Sequence, residues 1–207
     1  MPKKVDHDEQ RKRIAEALLR RASTQGLHAV SMRDVAAEAK ISVPLIQYYF
    51  TTKEQLMLFA LEHFAKRMSE RLSLRFQAMD KPATPRAILE GVLEEALPTD
   101  DESQLFHLVY TSYAVLAFTD PSLASHAFFD KPNRMEQFLI AKLEEAQIAG
   151  EIAADVDFRA EATGLLAMSA GLGTSVLVGQ RTPTKALSVL LYHVDRLFRG
   201  KRTARRE

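Results

Sequence analysis

Apolar and polar positions in the first fifty-five residues follow a helical period in short blocks, separated by recognisable helix ends. From about Asp8 to Gln25, Ile14, Ala17, Leu18 and Ala22 recur at i, i+3, i+4 and i+8, one apolar stripe. Gly26 stands where a helix ends in a left-handed residue. Leu27 and Val30 then anchor the connection, with His28 as a loop residue between them. Ser31 and Asp34 have the spacing of a reciprocal helix cap. The helix they open sets Met32, Val35, Ala36 and Ala39 on one side and Arg33 outward. After a short turn at Lys40-Ile41, Ser42 caps again, and Val43-Pro44 fall in the first turn, where proline removes no needed hydrogen bond. Ile46, Tyr49 and Phe50 point inward; Val43, Pro44, Gln47 and Tyr48 are left facing out. Thr51-Thr52-Lys53-Glu54 fits a further cap. It opens a long helix from Lys53 to about Leu74 with Leu56, Phe59, Ala60, His63, Phe64 and Met68 as its inward stripe.

The rest of the chain also has helical spacing. Pro82 and Pro85 mark a break before a helix from Arg86 to Leu97. Pro98 to Glu102 reads as a loop and an acidic helix start, a matter of helix-end electrostatics rather than a metal site. Phe106, Val109, Tyr110, Tyr113 and Ala117 share one side of a helix from Ser103 to about Phe118. A further helical stretch opens at Asp120-Pro121, is interrupted around Asp130–Asn133, and continues to Ala149-Gly150. Asp157 caps residues 158–179, and Thr182-Pro183 starts the last helix. The apolar face of that helix is broader than one neighbour would use. The last two helices are therefore expected to pair with their copies in a second chain as a four-helix bundle. Leu165, Met168, Leu172, Val176, Leu187, Leu190, Leu191, Val194, Leu197 and Phe198 would form that interface; the alternative is a wholly intramolecular core. The expected fold class is all-α, with a three-helix unit over 1–53 (1–7 a flexible arm), a helical body over 54–200 and a basic tail over 201–207.

Composition narrows the function classes. Of 207 residues, 46% are apolar and 27% charged, ordinary for a folded chain and too long for the three-helix unit alone. Cysteine is absent, which excludes disulfides, thiolate metal sites and a cysteine nucleophile, and suits a reducing cytoplasm. The basic N-terminus has no apolar segment behind it, so no secretory signal is expected. Ala162 to Gln180 is a run of 19 uncharged residues, near the length that spans a bilayer. Its hydroxyl residues, Gln180 and four glycines favour instead a buried helix that neighbours approach closely. Charge is uneven: residues 1–53 hold ten Lys/Arg against six Asp/Glu, and residues 80–161 six against sixteen. A basic head on an acidic body points the head at phosphate. No HExxH, GxSxG, P-loop or dinucleotide fingerprint occurs, and the six histidines lack ligand spacing, so neither catalysis nor a cofactor is expected.

Two short capped helices joined by a tight turn, the second with a free outward face, match a helix-turn-helix. The segment SMRDVAAEAKISVPLIQYYFTTKEQL moreover resembles the DNA-binding signature of the TetR family of bacterial regulators. Its Arg-Asp-Val-Ala core, Val-Ser-type turn, Tyr-Phe pair and Lys-Glu helix start carry the resemblance, which is strong over Arg11 to Leu58. Two positions depart from the pattern: Lys40 stands where the turn commonly has Gly, and Gln47 where a phosphate-contacting Tyr is frequent. The resemblance implies a homodimer on double-stranded operator DNA, with the third helix in the major groove. Val43, Pro44 and Leu45 would then lie near base edges, with thymine methyls as natural partners. Arg33 would reach a guanine edge or a phosphate. Gln47, Tyr48 and Lys53, with the capped helix starts at Ser31 and Thr51, would position the protein on phosphates, with Ser42 as a further contact. Lys3, Lys4, Arg11 and Arg13 would add nonspecific or minor-groove contacts from the arm, the alternative being a solvated charged tail.

The resemblance also implies a cavity in the body for a small-molecule effector. Phe64, Met68, Phe106, Tyr110, Tyr113, Phe128, Phe138 and Met168 are the candidate lining, with His107, Tyr110, Tyr113 or His126 as polar fixing points. Such a wall suits a largely apolar ligand. The expected function is thus a repressor released from a palindromic operator by that ligand. The competing reading is a helical ligand-binding protein without operator-specific DNA binding.

Overall fold

The computed structural model describes residues 6–79, 83–119 and 131–199. Among them the chain forms α1 (His7–Gln25), α2 (Met32–Ala39), α3 (Val43–Tyr49), α4 (Lys53–Ala78), α5 (Pro85–Glu95), α6 (Asp101–Thr119), α7 (Lys131–Ile148), α8 (Phe158–Leu177) and α9 (Pro183–Arg199), with no strand among the described residues. The all-α expectation holds. Two compact units emerge: one drawn from residues 1–67 and 105–125, the other from 68–104 and 126–207. The division falls inside α4 and α6.

In the first unit Asp6 opens α1 by accepting the amides of Asp8 and Glu9 at 3.1 and 3.3 Å. Ile14, Ala17, Leu18 and Ala22 are buried as their spacing predicts, together with Ala15 and Leu19. Gly26 ends the helix at φ 79° and ψ 143°. The positive φ was expected; the extended ψ was not, and it carries the chain directly out to buried Leu27 instead of adding another coiled residue. The cap of α4 is Thr52, one residue later than the Thr51-Glu54 pairing. Thr52 Oγ1 accepts the Gln55 amide at 3.3 Å, and the Gln55 side chain accepts the Thr51 amide at 3.0 Å. Buried Met57 and Leu61 widen the inward stripe of α4 beyond the expected set.

The second unit is a ring of four helices within one chain: α5 packs on α7 and α9, and α8 on the same two. Leu89, Val92, Leu139, Leu143, Ala146, Ile152 and Ala162 make one buried cluster. Leu93, Leu97, Leu165, Ala186, Leu190 and Val194 make the other. This ring takes up three of the ten residues expected at a dimer interface. Leu165, Leu190 and Val194 are fully buried inside the single chain, so they have no surface left for a partner. Met168, Leu172, Val176, Leu187, Leu197 and Phe198 also lean on the same cluster. The breadth of the α9 face is explained by two neighbours, α5 and α8. Lys131-Pro132-Asn133 form the first turn of α7, and the helical stretch expected from Asp120 lies outside the described residues. The α8 helix buries Ala162, Leu165, Ser169 and Gly173, while Thr163, Ala167, Ala170, Gly171 and Thr174 are exposed on its other side. It is thus half-exposed rather than wholly buried. No described helix is long and apolar enough to cross a membrane.

Arginines of α4 and α5 tie this unit together. Arg71 donates to both carboxylate oxygens of Asp100 at 3.1 and 2.6 Å, and lies 2.9 Å from Glu95 and 3.6 Å from Glu102. Arg75 pairs with Glu94, and Arg86 with Glu90 and Asp195. Asp100 also accepts the Ser103 amide at 2.9 Å, capping α6, which bears out helix-end electrostatics at this acidic segment. The Arg71 bonds hold the Asp100 pKa down to about 2, from an ordinary 3.8. Because the folded state prefers the carboxylate, its stabilisation is complete above about pH 4 and fades as pH falls toward 2. The side chain is 45% exposed, so solvent screens part of this. Asp100→Ala is expected to lower unfolding free energy by about 1–2 kcal/mol at neutral pH. It should also flatten the acid limb between about pH 4 and pH 2, read by urea unfolding at a series of pH values.

Candidate nucleic-acid interface

The corner between α2 and α3 is fixed by bonds between residues no more than five positions apart. Ser31 and Asp34 exchange bonds in a complete capping box: Asp34 accepts the Ser31 amide at 2.8 Å, and Ser31 Oγ accepts the Asp34 amide at 3.2 Å. The Ser31 hydroxyl, which donates to the Asp34 carboxylate at 2.6 Å, and then the Ser31 amide lower the Asp34 pKa. At the other end of α2, Lys40 adopts φ 55° and ψ 46°, the left-handed conformation that an L side chain rarely takes. It places the Lys40 amide on Ala37 O at 3.2 Å and the Ile41 amide on Ala36 O at 3.0 Å, which closes the helix. Lys40 thus does what glycine would do at this corner. Two residues on, Ser42 accepts the Leu45 amide at 3.3 Å and starts α3 with Pro44 in its first turn.

With Ile46 and Phe50 buried, the opposite side of α3 is open. Pro44, Leu45, Gln47 and Tyr48 are exposed, Val43 is half-exposed, and Arg33 is exposed on α2. Ser31 and Ser42 are exposed at the two helix starts. The expected contact residues, Lys53 apart, therefore share one unit and are accessible.

Lys53 behaves differently from the rest. Its ammonium donates to Leu27 O at 2.9 Å and His28 O at 3.2 Å, so two of its three hydrogens serve the loop between α1 and α2. Partial burial pulls its pKa down. The sequence could not announce this, because the carbonyls lie twenty-five and twenty-six residues away. Arg11 is likewise no arm residue: its guanidinium sits 4.3 Å from the Phe59 ring centroid and 5.2 Å from that of Phe50. Arg13 is exposed on α1, and Lys3 and Lys4 lie outside the described residues.

The effector candidates divide between the two units. Phe106, His107 and Tyr110 stand together on α6, with the Phe106 and Tyr110 rings stacked at 6.2 Å and 24°. Phe64, Met68 and Tyr113 are buried. Phe138 stacks on Phe76 at 6.2 Å within the Leu89 cluster, and Met168 packs on the Leu165 cluster. Both are partly buried against those clusters. Phe128 and His126 lie outside the described residues. Among the described residues no group of His, Cys, Asp and Glu could hold a metal ion.

The comparisons with known proteins agree with this geometry. Residues 14–59 match the model "Bacterial regulatory proteins, tetR family", and residues 85–199 match "BetI-type transcriptional repressor, C-terminal". The second match alone spans more than half of the chain. The chain belongs to the TetR family. It is a transcriptional regulator with a helix-turn-helix head, not an enzyme. This regulator is 28% identical over 199 residues to the HTH-type transcriptional regulator PksA of Bacillus subtilis strain 168, covering 94% of this chain and 93% of that protein. It is 30% identical over 100 residues to the HTH-type transcriptional regulator BetI of Rhizobium meliloti strain 1021, 48% of each chain. A transcriptional regulator from Saccharomonospora viridis, crystallised in complex with choline, superposes with a TM-score of 0.81 at 26% identity, covering 91% of this chain and 96% of that one.

The regulator's Lys53 staple is testable without DNA. Lys53→Met keeps the methylene stem but leaves the Leu27 and His28 carbonyls without their donor. Denaturant unfolding of the full chain is expected to show a loss of about 1–2 kcal/mol; no loss would mean the staple is idle.

Proposed function

We propose that this TetR-family regulator binds a near-palindromic operator as a homodimer and represses transcription until a small ligand releases it. The observation that carries the reading is the outward face of α3, where Pro44, Leu45, Gln47 and Tyr48 are exposed beside Arg33. In the major groove Val43, Pro44 and Leu45 would meet thymine methyls, and Arg33 a guanine edge or a phosphate. Gln47, Tyr48 and the helix starts at Ser31 and Ser42 would hold phosphates, with the third hydrogen of Lys53 as an addition. Few base-reading groups per head require two heads for specificity, and two successive major grooves supply two half-sites. The second chain would pair through α8 and α9. Thr163, Ala167, Ala170, Gly171 and Thr174 leave α8 room for close approach, and exposed Val189 and Tyr192 on α9 add apolar surface. The protein would act in the cytoplasm, where operator DNA lies.

Selection of bound duplexes from a random pool by the full-length protein is expected to return a palindrome with two equivalent half-sites. On the selected duplex, Tyr48→Ala is expected to weaken binding about tenfold or less, with the half-site sequence unchanged. No enrichment above nonspecific binding at low salt would leave the competing reading, a ligand-binding protein without an operator.

The effector is expected to be small and largely apolar. One observation favours a more definite chemistry: the Saccharomonospora relative holds choline, and stacked Phe106 and Tyr110 are rings of the kind that attract a quaternary ammonium group. Choline is then expected to raise the melting temperature and to release the selected duplex, while its uncharged carbon analogue does neither. Equal effects from both would return the effector to the apolar class, since only differential affinity shifts the equilibrium.

A further inference from the structure

Tyr48 is 72% exposed, so burial does not fix its rotamer, yet a phosphate contact needs its hydroxyl in one place. Two rings lie against it. Tyr49 presents its edge at 5.1 Å and 86°, and His7, the first residue of α1, lies 6.3 Å from Tyr48 and 5.7 Å from Tyr49. The three rings form a triangle joining the start of α1 to the end of α3. The start of α1 is itself held in two ways. Asp6 accepts the Asp8 and Glu9 amides, which stops the turn that carries His7 from fraying. One turn later on the same face, Arg11 sits over Phe50, which closes α3, and over Phe59 of α4. His7 and Arg11, four residues apart, thus grip the C-terminal end of the recognition helix from one side of α1.

We infer that His7 is a positioning residue for DNA binding: its imidazole orders the Tyr48 side chain for the phosphate before the operator arrives. The inference rests on the operator-binding reading above. Ordering a free aromatic side chain on binding is unfavourable, and a ring already packed against two others has met most of that requirement in the unbound protein. The effect should be moderate in size. It should also act wholly through Tyr48, because His7 is given no phosphate of its own.

The test measures affinity for the duplex selected by the unaltered full-length protein, by fluorescence anisotropy, alongside melting temperatures. His7→Ala is expected to weaken binding about three- to tenfold, and His7→Phe, which keeps a ring, to stay within about twofold of the original. In a Tyr48→Ala background, His7→Ala is expected to add no further loss. Melting temperatures should remain those of the parent proteins. An unchanged affinity for His7→Ala would overturn the inference, and so would a loss that persists in the Tyr48→Ala background. Failure of the unaltered protein to select any duplex would instead defeat the operator-binding reading itself.

Discussion

Helices of eight and seven residues do not persist alone in water, because too few internal hydrogen bonds form to offset nucleation. The recognition surface therefore depends on how α2 and α3 are held at their ends. Ser31 with Asp34, and Ser42 with the Leu45 amide, satisfy amides that the helices cannot satisfy themselves. Lys40 sets the angle between the two by accepting a left-handed backbone, and buried Ile46 and Phe50 anchor the inner side. Once these constraints are met, the exposed residues of α3 have no other place to point.

Around that corner the head is braced by side chains whose sequence type suggests a different task. Lys53 and Arg11 are cations in a basic segment, and either could be counted as a phosphate ligand. Each instead joins elements: Lys53 binds the carbonyls of the loop after α1, and Arg11 covers two phenylalanine rings. The local excess of positive charge thus overstates the number of cations available to DNA. The outward residues of α2 and α3, with Arg13 beside them, are a smaller and better-defined set.

The second unit solves a separate problem. Its α5 helix has buried Leu89 and Val92 in one cluster and Leu93 in the other, so a single short helix is shared between two cores. Closing the ring on α7, α8 and α9 buries the inner apolar faces of these helices within one chain. What remains outside on α8 is small, which suits close helix approach rather than a thick apolar contact. Arg71, Arg75 and Arg86 gather the acidic side chains of this unit into pairs, so much of its negative charge is compensated internally.

The capping box of α2, the Ser42 cap and the outward face of α3 were legible in the sequence. Each is decided by residues within four or five positions of one another, and the chemistry of serine, aspartate and proline at helix ends is local. The register of the α4 cap was misread by one residue, because Thr51 and Thr52 are equivalent until Gln55 chooses between them. Only the tertiary structure decided that Leu165, Leu190 and Val194 face inward in one chain, that Phe138 and Met168 lean on different clusters, and that Lys53 and Arg11 hold the head together. Those assignments depend on which distant surface meets each side chain. A helical stripe states that a face will be covered; it carries no information about what covers it.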